Sequence, residues 1–392
     1  MDKSGNQSEQ QAGLKCLYFV DRMRHGGIQT FLLELAKHMD HSRMETDFLL
    51  LDDGTTYPLE KELEKYGNVY KLDGVWVKRS LDFVWYRKAV DAFFTSHHQY
   101  HVIHMNSGPK NYYILKAAGK YQIPVRIAHS HNTGYQTKSP AKQWLGNCMK
   151  QGLRRYANVY LACSDLAGEW MFGQNLMVQG KVRILPNGID LEKFQFDPVM
   201  RKKKRRELQA DQRLVIGHVG RFTMQKNHLF LIDIFRKIAA ERPDALLLLV
   251  GVGELQGETE NRVRQSGLEK QVRFLGYRSD VTELMHAMDV FVMPSLYEGF
   301  PVTAVEAQAL GLPCVFSDTI TANVKLLKDT MSVSLKESPG LWAQQILAVS
   351  RGAPDRTAAN QMLRDRGYDI RDMVQKLVEI YQNQMDVSKR EG

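Results

Sequence analysis

Apolar, strand-like runs alternate with amphipathic, helix-like runs along the whole chain, and the pattern starts afresh near Leu214. Strands separated by helices do not pair as hairpins; they form parallel sheets whose connecting helices cross over the faces. The chain is therefore expected to be an α/β protein of two Rossmann-like, doubly wound domains facing each other across a cleft. Residues 15–20, 45–51, 69–72, 102–105, 125–128 and 159–163 read as strands of the first half, and 29–39, 81–94, 111–120 and 142–156 as its helices. In the second half 214–219, 245–250, 272–275, 290–293 and 314–316 read as strands, spaced by helices such as 229–240. Between the halves, PNGIDLEKFQFDP (186–198) has turn chemistry and marks the boundary. This division gives a first domain over 1–190, a linker over 191–212, a second domain over 213–369 and a terminal helical stretch over 370–392.

Composition narrows the class. With 43% hydrophobic and 25% charged residues, the chain has enough apolar material for packed cores and is not a disordered tail. Its longest apolar run, 245–252, is far short of the roughly 20 residues a spanning helix needs. The segment 1–11 is polar rather than signal-like, so a cytoplasmic, soluble protein is expected. Cys16, Cys148, Cys163 and Cys314 form no C-x-x-C pair and read as reduced thiols.

The net charge of +9 is unevenly spread. Residues 74–164 contain thirteen Lys or Arg against two acids, Asp82 and Asp91, and no carboxylate follows Asp91 until Asp165. Such a field draws in phosphates, nucleic acid or an anionic membrane leaflet. The tract RKKKRR (201–206), beside Glu207, reads as a solvated helix or linker rather than a nucleic-acid site.

Open α/β sheets bind ligands beyond the carboxyl ends of their strands, so the loops after strands are where chemistry is sought. The first, His25-Gly26-Gly27-Ile28, leads into a helix; its glycines either admit a ligand to backbone N–H groups or make a simple turn. Neither this loop nor Gly251, Gly253 and Gly257 is a dinucleotide fingerprint, and no G-x-x-x-x-G-K-[ST] loop occurs. The matching loop of the second half runs from Gly220, Arg221 and Phe222 to Lys226 and Asn227, and its two cations could neutralise a diphosphate leaving group. The densest constellation is Ser295-Leu296-Tyr297-Glu298-Gly299-Phe300-Pro301, followed by Glu306. Pro301 suits a first helical turn, and the N–H groups of Gly299, Phe300 and Val302 would be open to ligand oxygens. Carboxylates such as Glu298 and Glu306 suit sugar hydroxyls and fit phosphate poorly. Cations and acids thus address different parts of one ligand.

Glu298 and Glu306 form an E-x7-E element, accompanied by GGI at Gly26, PNGID at Pro186, VGRF with Lys226, GYRSD at Gly276 and EGFPVTAVEAQALGLP at Glu298. In these motifs the chain resembles retaining GT-B glycosyltransferases of family four, particularly bacterial enzymes of capsular and exopolysaccharide synthesis, from about Leu14 to Tyr381. The resemblance implies the GT-B fold and a hexosyltransferase that moves a hexose or N-acetylhexosamine from a nucleotide diphosphate sugar, preferentially a UDP-sugar, with retention. It implies that Arg221 and Lys226 hold the diphosphate, Glu298 the donor sugar and Glu306 the ribose, with Gly276 and Tyr277 beside the base. It also implies a front-face mechanism in which the leaving phosphate helps deprotonate the acceptor. An active-site histidine belongs after the fifth strand of the first domain; RIAHSHNTG leaves His129 or His131 for that place, with His129 favoured. The terminal helix is implied to cross back onto the first domain.

No D-x-D occurs, and His97, His98, His101 and His104 lack clustered carboxylates, so no metal or other cofactor is expected. The acceptor is expected to be a saccharide or a polyprenyl-diphosphate-linked sugar. Residues 138–156, with Trp144, Leu145, Cys148, Met149 and Leu153 at helical spacing among Lys142, Lys150, Arg154 and Arg155, read as a helix covering the sheet. The same basic surface could also meet an anionic membrane or guide the acceptor. Two other functions fit parts of the pattern: a nucleotide-sugar 2-epimerase of the same architecture, and, on charge alone, a nucleic-acid binder, for which no recognition motif is present.

Overall fold

The computed structural model describes residues 13–24, 26–72, 83–135, 137, 139–352 and 355–391. Expectations that fall on residues 1–11, His25, residues 81–82 and Lys138 lie outside the described residues. The first domain runs β1 (Leu14–Val20), α1 (Gly27–His38), β2 (Met44–Leu51), α2 (Pro58–Leu63), β3 (Val69–Leu72), α3 (Phe83–Ser96), β4 (Val102–Met105) and α4 (Tyr112–Lys120). It continues with β5 (Val125–Ser130), α5 (Pro140–Tyr156), β6 (Val159–Ala162), α6 (Asp165–Phe172), α7 (Gln174–Val178) and β7 (Val182–Ile184). The second comprises α8 (Pro198–Glu207), β8 (Val215–Val219), α9 (His228–Glu241), β9 (Leu246–Val250), α10 (Gln256–Gln265), β10 (Val272–Gly276) and α11 (Val281–Ala287). After these come β11 (Val290–Met293), α12 (Val302–Ala309), β12 (Cys314–Ser317), β13 (Thr330–Val333), α13 (Pro339–Ser350) and α14 (Ala359–Asp365), and the chain ends in α15 (Ile370–Glu391).

Both sheets are parallel, ordered β3-β2-β1-β4-β5-β6-β7 and β10-β9-β8-β11-β12-β13. Strand order reverses between β1 and β4 in one sheet and between β8 and β11 in the other, which opens a crevice at each switch point. Strands covered on both faces carry near-continuous apolar runs, and Leu246–Val250 is buried at every position. The edge strands β7 (VRI) and β13 (TMSV) were not anticipated: Arg183 in the first and Thr330 and Ser332 in the second interrupt their short apolar runs.

Chain segments crossing between the domains touch one another. Ile189 pairs with Asp369 in a parallel bridge, Ile189 donates to the Tyr368 carbonyl (3.0 Å), and Ile370 donates to the Ile189 carbonyl (2.8 Å). A Cβ on Gly188 would stand 2.9 Å from the Ile370 Cα, which gives the glycine of PNGID a packing reason. Helix α15 then lies on the first domain, where Ile370, Met373, Val374, Leu377 and Tyr381 join the core cluster of β1 and α1.

The basic tract is a helix, but it is not solvated as expected. Arg201 and Arg205 turn inward to Asp289, and Lys204 reaches Asp280 (3.0 Å), so α8 docks on the second domain through its cations. Lys150 of α5 likewise points inward, donating to the Trp170 carbonyl (2.6 Å) with its ammonium over the indole ring. Leu153 is buried, whereas Trp144 and Cys148 are exposed.

The glycines after β9 serve packing. Gly251 has φ +138, and a Cβ there would lie 2.1 Å from the Gly220 carbonyl oxygen; a Cβ on Gly253 would lie 2.5 Å from that of Phe222. The loop of Gly251 and Gly253 thus crosses directly over the loop carrying Arg221, tied by Gly220 N–H to Val250 O (2.9 Å) and Leu255 N–H to Phe222 O (2.9 Å). Gly253→Ala should therefore destabilise the protein by about 1–3 kcal/mol through overpacking. Gly257→Ala, where a Cβ meets nothing within 4 Å, should be neutral or slightly stabilising. Urea denaturation of the two variants checks this, and equal behaviour would refute the packing role.

Candidate active site between the domains

The two switch points face each other, and the loop 298–301 after β11 is held against the first domain through its backbone. Thr133 Oγ1 donates to the Glu298 carbonyl (3.0 Å), Ser164 Oγ to that of Gly299 (2.9 Å) and Asn187 Nδ2 to that of Phe300 (3.1 Å). Ser164 also caps α6, accepting from the Ala167 N–H (3.2 Å). A Cβ on Gly299 would stand 2.0 Å from the His131 carbonyl oxygen, so only glycine permits this approach. With three carbonyls engaged, the N–H groups of Gly299, Phe300 and Val302 donate to nothing among the described residues. Pro301 (φ −71) occupies the cap position just before α12 rather than its first turn, which still leaves those donors open.

Lys226 and Glu298, predicted to hold different parts of a ligand, are brought together: Nζ lies 2.7 Å from Oε1, and both side chains are largely buried. Gln225, absent from the sequence reading, knits the loops after β8 and β11, donating to Glu298 Oε2 (3.1 Å) and the Tyr297 carbonyl (2.9 Å). Only the tertiary meeting of these loops reveals it. Arg221 is half exposed at the same mouth, 4.0 Å from Glu254. Gly220 packs against the Lys226 stem, and a Cβ there would meet Cδ and Cε at 3.1 Å. Gly276 (φ +64) ends β10, and Tyr277 beyond it is exposed.

Glu306, in the second turn of α12, faces α1 of the first domain. Burial, with a smaller contribution from the charge of Glu34 on α1, pushes its carboxyl up to about 7. Gly26 precedes α1 in extended backbone and Gly27 begins it; a Cβ on Gly27 would meet nothing within 4 Å, so conformational need does not require glycine there. At the first switch point Asp21, also absent from the sequence reading, accepts from Asn111 Nδ2 (2.6 Å) and Ser107 and pairs with Lys110 (2.8 Å). Its place directly after β1 was the available signal.

His129 lies within β5, whereas His131 follows it. Both border a cavity of about 20 Å³ together with Ile28, Ser107, Asn132 and Trp170. That is room for about one water. A chain of hydrogen bonds leads to His129: Tyr18 OH to Tyr381 OH (3.1 Å), Tyr381 OH to His104 Nδ1 (2.6 Å), and His104 Nε2 to His129 Nδ1 (3.1 Å). Burial holds all three histidines below the usual imidazole range, His104 to about 3 and His131 to about 4, so each is neutral at pH 7. A phenol is the better donor to an imidazole nitrogen, which makes His104 Nε2 the N–H donor and leaves the proton of His129 on Nε2. Among the described residues His129 Nε2 has no partner, and His131 Nε2 is bonded to Asn106 Oδ1 (2.9 Å).

The four histidines at 97–104 do not converge: His97 stacks on Phe93, His98 bonds the Thr95 carbonyl, His101 accepts from the Lys15 N–H and His104 joins the relay. Among the described residues, Glu34, His38 and Asp190 form the one group with metal-ligand spacing, and its acids are already paired with cations: Lys193 with both at 3.0 and 3.1 Å, Lys37 with Glu34 (2.9 Å) and Arg371 with Asp190 (3.3 Å). His218 and His228, buried beside Lys226 with unpartnered nitrogens, were also missed; a histidine inside the apolar strand β8 was the visible sign of the first.

Known proteins resemble this chain in sequence and in fold. Residues 25–193 match the family described as Glycosyltransferase Family 4, and residues 200–361 match Glycosyl transferases group 1. The chain is 36% identical over 375 residues to the putative glycosyltransferase EpsF of Bacillus subtilis, covering 94% of this chain and 96% of that one. Over 156 residues, 38% of this chain and 39% of the relative, it is 38% identical to the UDP-Gal:alpha-D-GlcNAc-diphosphoundecaprenol alpha-1,3-galactosyltransferase of Escherichia coli. The fold superposes on Anabaena Alr3699/HepE, solved with UDP and glucose, with a TM-score of 0.76 at 22% identity, covering 94% of this chain and 99% of that chain.

Two outcomes follow from the cleft. Because the folded-state pKa of Glu306 is raised, the native protein binds the extra proton; stability from this group is fully present below about 4.5 and is lost as pH rises through about 7. Denaturation of wild type and Glu306→Gln across pH 5 to 8 should show their stability difference shifting toward the variant with rising pH; a constant difference would refute the assignment. Tyr381→Phe should strand the buried His104 Nδ1 and cost about 1–3 kcal/mol, read in the same assay.

Proposed function

The chain belongs to the family-4 glycosyltransferases, with the GT-B fold, and from that membership we propose a retaining hexosyltransferase that uses a UDP-sugar in surface-polysaccharide synthesis. The membership decides against the 2-epimerase and nucleic-acid readings. One observation carries the proposal: Arg221, Lys226, Glu298, the free N–H groups of 299, 300 and 302, and Glu306 all converge at the second switch point, opposite His129 and His131.

In this reading the domains part, and the diphosphate takes Lys226 from Glu298. Glu298 is thereby released to accept from donor-sugar hydroxyls, while Glu306 accepts from the ribose and Tyr277 lies by the base. The free N–H groups beside Gly299 and the Arg221 guanidinium neutralise the departing diphosphate, as its growing charge demands. The bond between the anomeric carbon and the β-phosphate oxygen breaks, and the acceptor oxygen bonds that carbon on the same face. The acceptor proton passes to the leaving phosphate. His129, with Nε2–H turned to the cavity, or His131, the alternative, bonds the transferred sugar. Side-chain cations supply the charge compensation, so no metal or other cofactor is invoked.

The names of the relatives support a UDP-linked donor, a hexose as transferred group, and a saccharide or polyprenyl-diphosphate-linked acceptor; an N-acetylhexosamine as transferred group rests on the family resemblance alone. No helix among the described residues is long and apolar enough to cross a membrane. Exposed Trp144 on α5, within the acid-free stretch, supports peripheral contact with the anionic inner face of the cell membrane from the cytoplasm.

A panel of nucleotide sugars should identify the donor by thermal stabilisation, since a native-state ligand at 100 times its Kd adds about 2.7 kcal/mol. Glu306→Ala should weaken UDP binding about ten- to a hundredfold, and Arg221→Ala should slow transfer about 10²–10³-fold at saturating donor. Wild-type values in both variants would place the donor elsewhere.

A further inference from the structure

On the first domain, a cavity of about 340 Å³ opens between α4 and α5, lined by Tyr113, Lys116, Lys120, Arg126, Arg155 and Tyr156. Lys120 and Tyr156 end their helices and Arg126 is the second residue of β5, so the cavity lies at the amino-terminal edge of the sheet, opposite the edge that faces the cleft. It is independent of the donor site.

Cations gather at helix carboxyl ends because the carbonyl dipoles favour them, and this accounts for part of the cluster. Arg126 donates to the Tyr156 carbonyl (2.9 Å) and that of Ile123 (2.8 Å), and Lys120 pairs with Asp91 at 3.4 Å. Arg155 also lies in the last turn of α5, but Lys116 stands a full turn before the end of α4, and helix ends do not account for it. Neither pairs with a carboxylate among the described residues, and their contacts are aromatic faces. The Lys116 ammonium sits 5.6 Å from the Tyr113 ring centre and 5.7 Å from that of Tyr156, and the Arg155 guanidinium 5.9 Å from the latter. The guanidinium of Arg126 is half-buried and also lacks an acid, and burial lowers its pKa. Asp91 compensates Lys120 and accepts from the Tyr113 hydroxyl (2.8 Å), which leaves Lys116, Arg126 and Arg155 as cations without a carboxylate partner among the described residues around a concavity with two tyrosine walls.

We propose that this cavity binds a phosphate group carried on a small polar or glyceryl body, with Lys116 and Arg155 on the phosphate oxygens and Tyr113 and Tyr156 against the body. The phosphate has two possible sources: the headgroup of an anionic phospholipid or a soluble phosphorylated metabolite. The site shares Arg155 and Tyr156 with the helix proposed above to meet a membrane, but it makes a narrower claim, for a stereochemically defined pocket rather than a charged surface.

The test uses the full chain and two probes: glycerol 3-phosphate in solution, followed by calorimetry, and vesicles of phosphatidylglycerol mixed with phosphatidylcholine, followed by co-sedimentation. Lys116→Glu/Arg155→Glu is compared with Lys202→Glu/Lys203→Glu, which makes the same charge change on exposed residues of the second domain. Lys116→Gln/Arg155→Gln provides a milder pair, and transfer to a soluble acceptor reports that the variants remain folded. Loss of glycerol 3-phosphate binding by about tenfold or more in the pocket variants alone supports the site with a soluble ligand. The same selective loss on vesicles supports it with a lipid headgroup. If pocket and control variants fall equally on both probes, or neither falls, the pocket is overturned. Vesicle binding that survives in the pocket variants would leave the membrane reading of α5 standing without it.

Discussion

The contact between Gly299 and the carbonyl of His131 is the constraint on which the arrangement of the site depends. A backbone-to-backbone approach this close leaves no space for a Cβ and would strand three carbonyls away from water. Thr133, Ser164 and Asn187 supply a donor for each. That accounting fixes the loop 298–301 and, through it, the start of α12. It also leaves the N–H side of the same peptides unused. The loop is therefore bonded to the first domain by its oxygens and available to a ligand by its nitrogens.

Electrostatics in the cleft is arranged as exchangeable pairs. Lys226 and Glu298 neutralise one another at 2.7 Å, a state in which neither charge is buried alone. A ligand bearing both an anionic and a hydroxylated end can replace this pair without leaving a residue uncompensated. Glu306 is the exception: burial and the neighbouring Glu34 disfavour its charge while the domains are closed. Donors that satisfied this carboxylate, or water reaching it, would relieve that cost. The relay from Tyr18 and Tyr381 acts on the other wall, setting the tautomer of His129 from a helix that belongs in sequence to the far end of the chain.

Much of this was legible from the sequence because it depends on local patterns. Strands β4 and β11 have the bounds that the apolar runs predict and are buried at every position, as strands covered on both faces are; β3 has its expected bounds too, although it is an edge strand carrying Lys71. Glu298, Gly299 and Glu306 stood out because a turn and a helix start bring them to one mouth. The misreadings involve long-range pairing. Arg201, Lys204 and Arg205 read as solvated because their partners, Asp280 and Asp289, are far away in sequence. Lys150 read as a surface charge because Trp170, whose ring and carbonyl hold it, belongs to another helix. Gln225 and Asp21 carried no motif at all; they matter because of the loops they meet.

The sequence by itself determined the two parallel sheets, the place where the second begins and the excess of positive charge in the first domain. Periodicity and turn residues act over a few positions and need no distant partner to be read. Only the tertiary structure decided that Lys226 neutralises Glu298, that Gly299 must lack a side chain, that α15 reaches a histidine of β5 through His104, and that Lys116 and Arg155 border one cavity with no carboxylate among the described residues paired to either. Each of these depends on which segments pack together, and that choice is made by burial and hydrogen-bond satisfaction over the whole fold rather than by any stretch of residues.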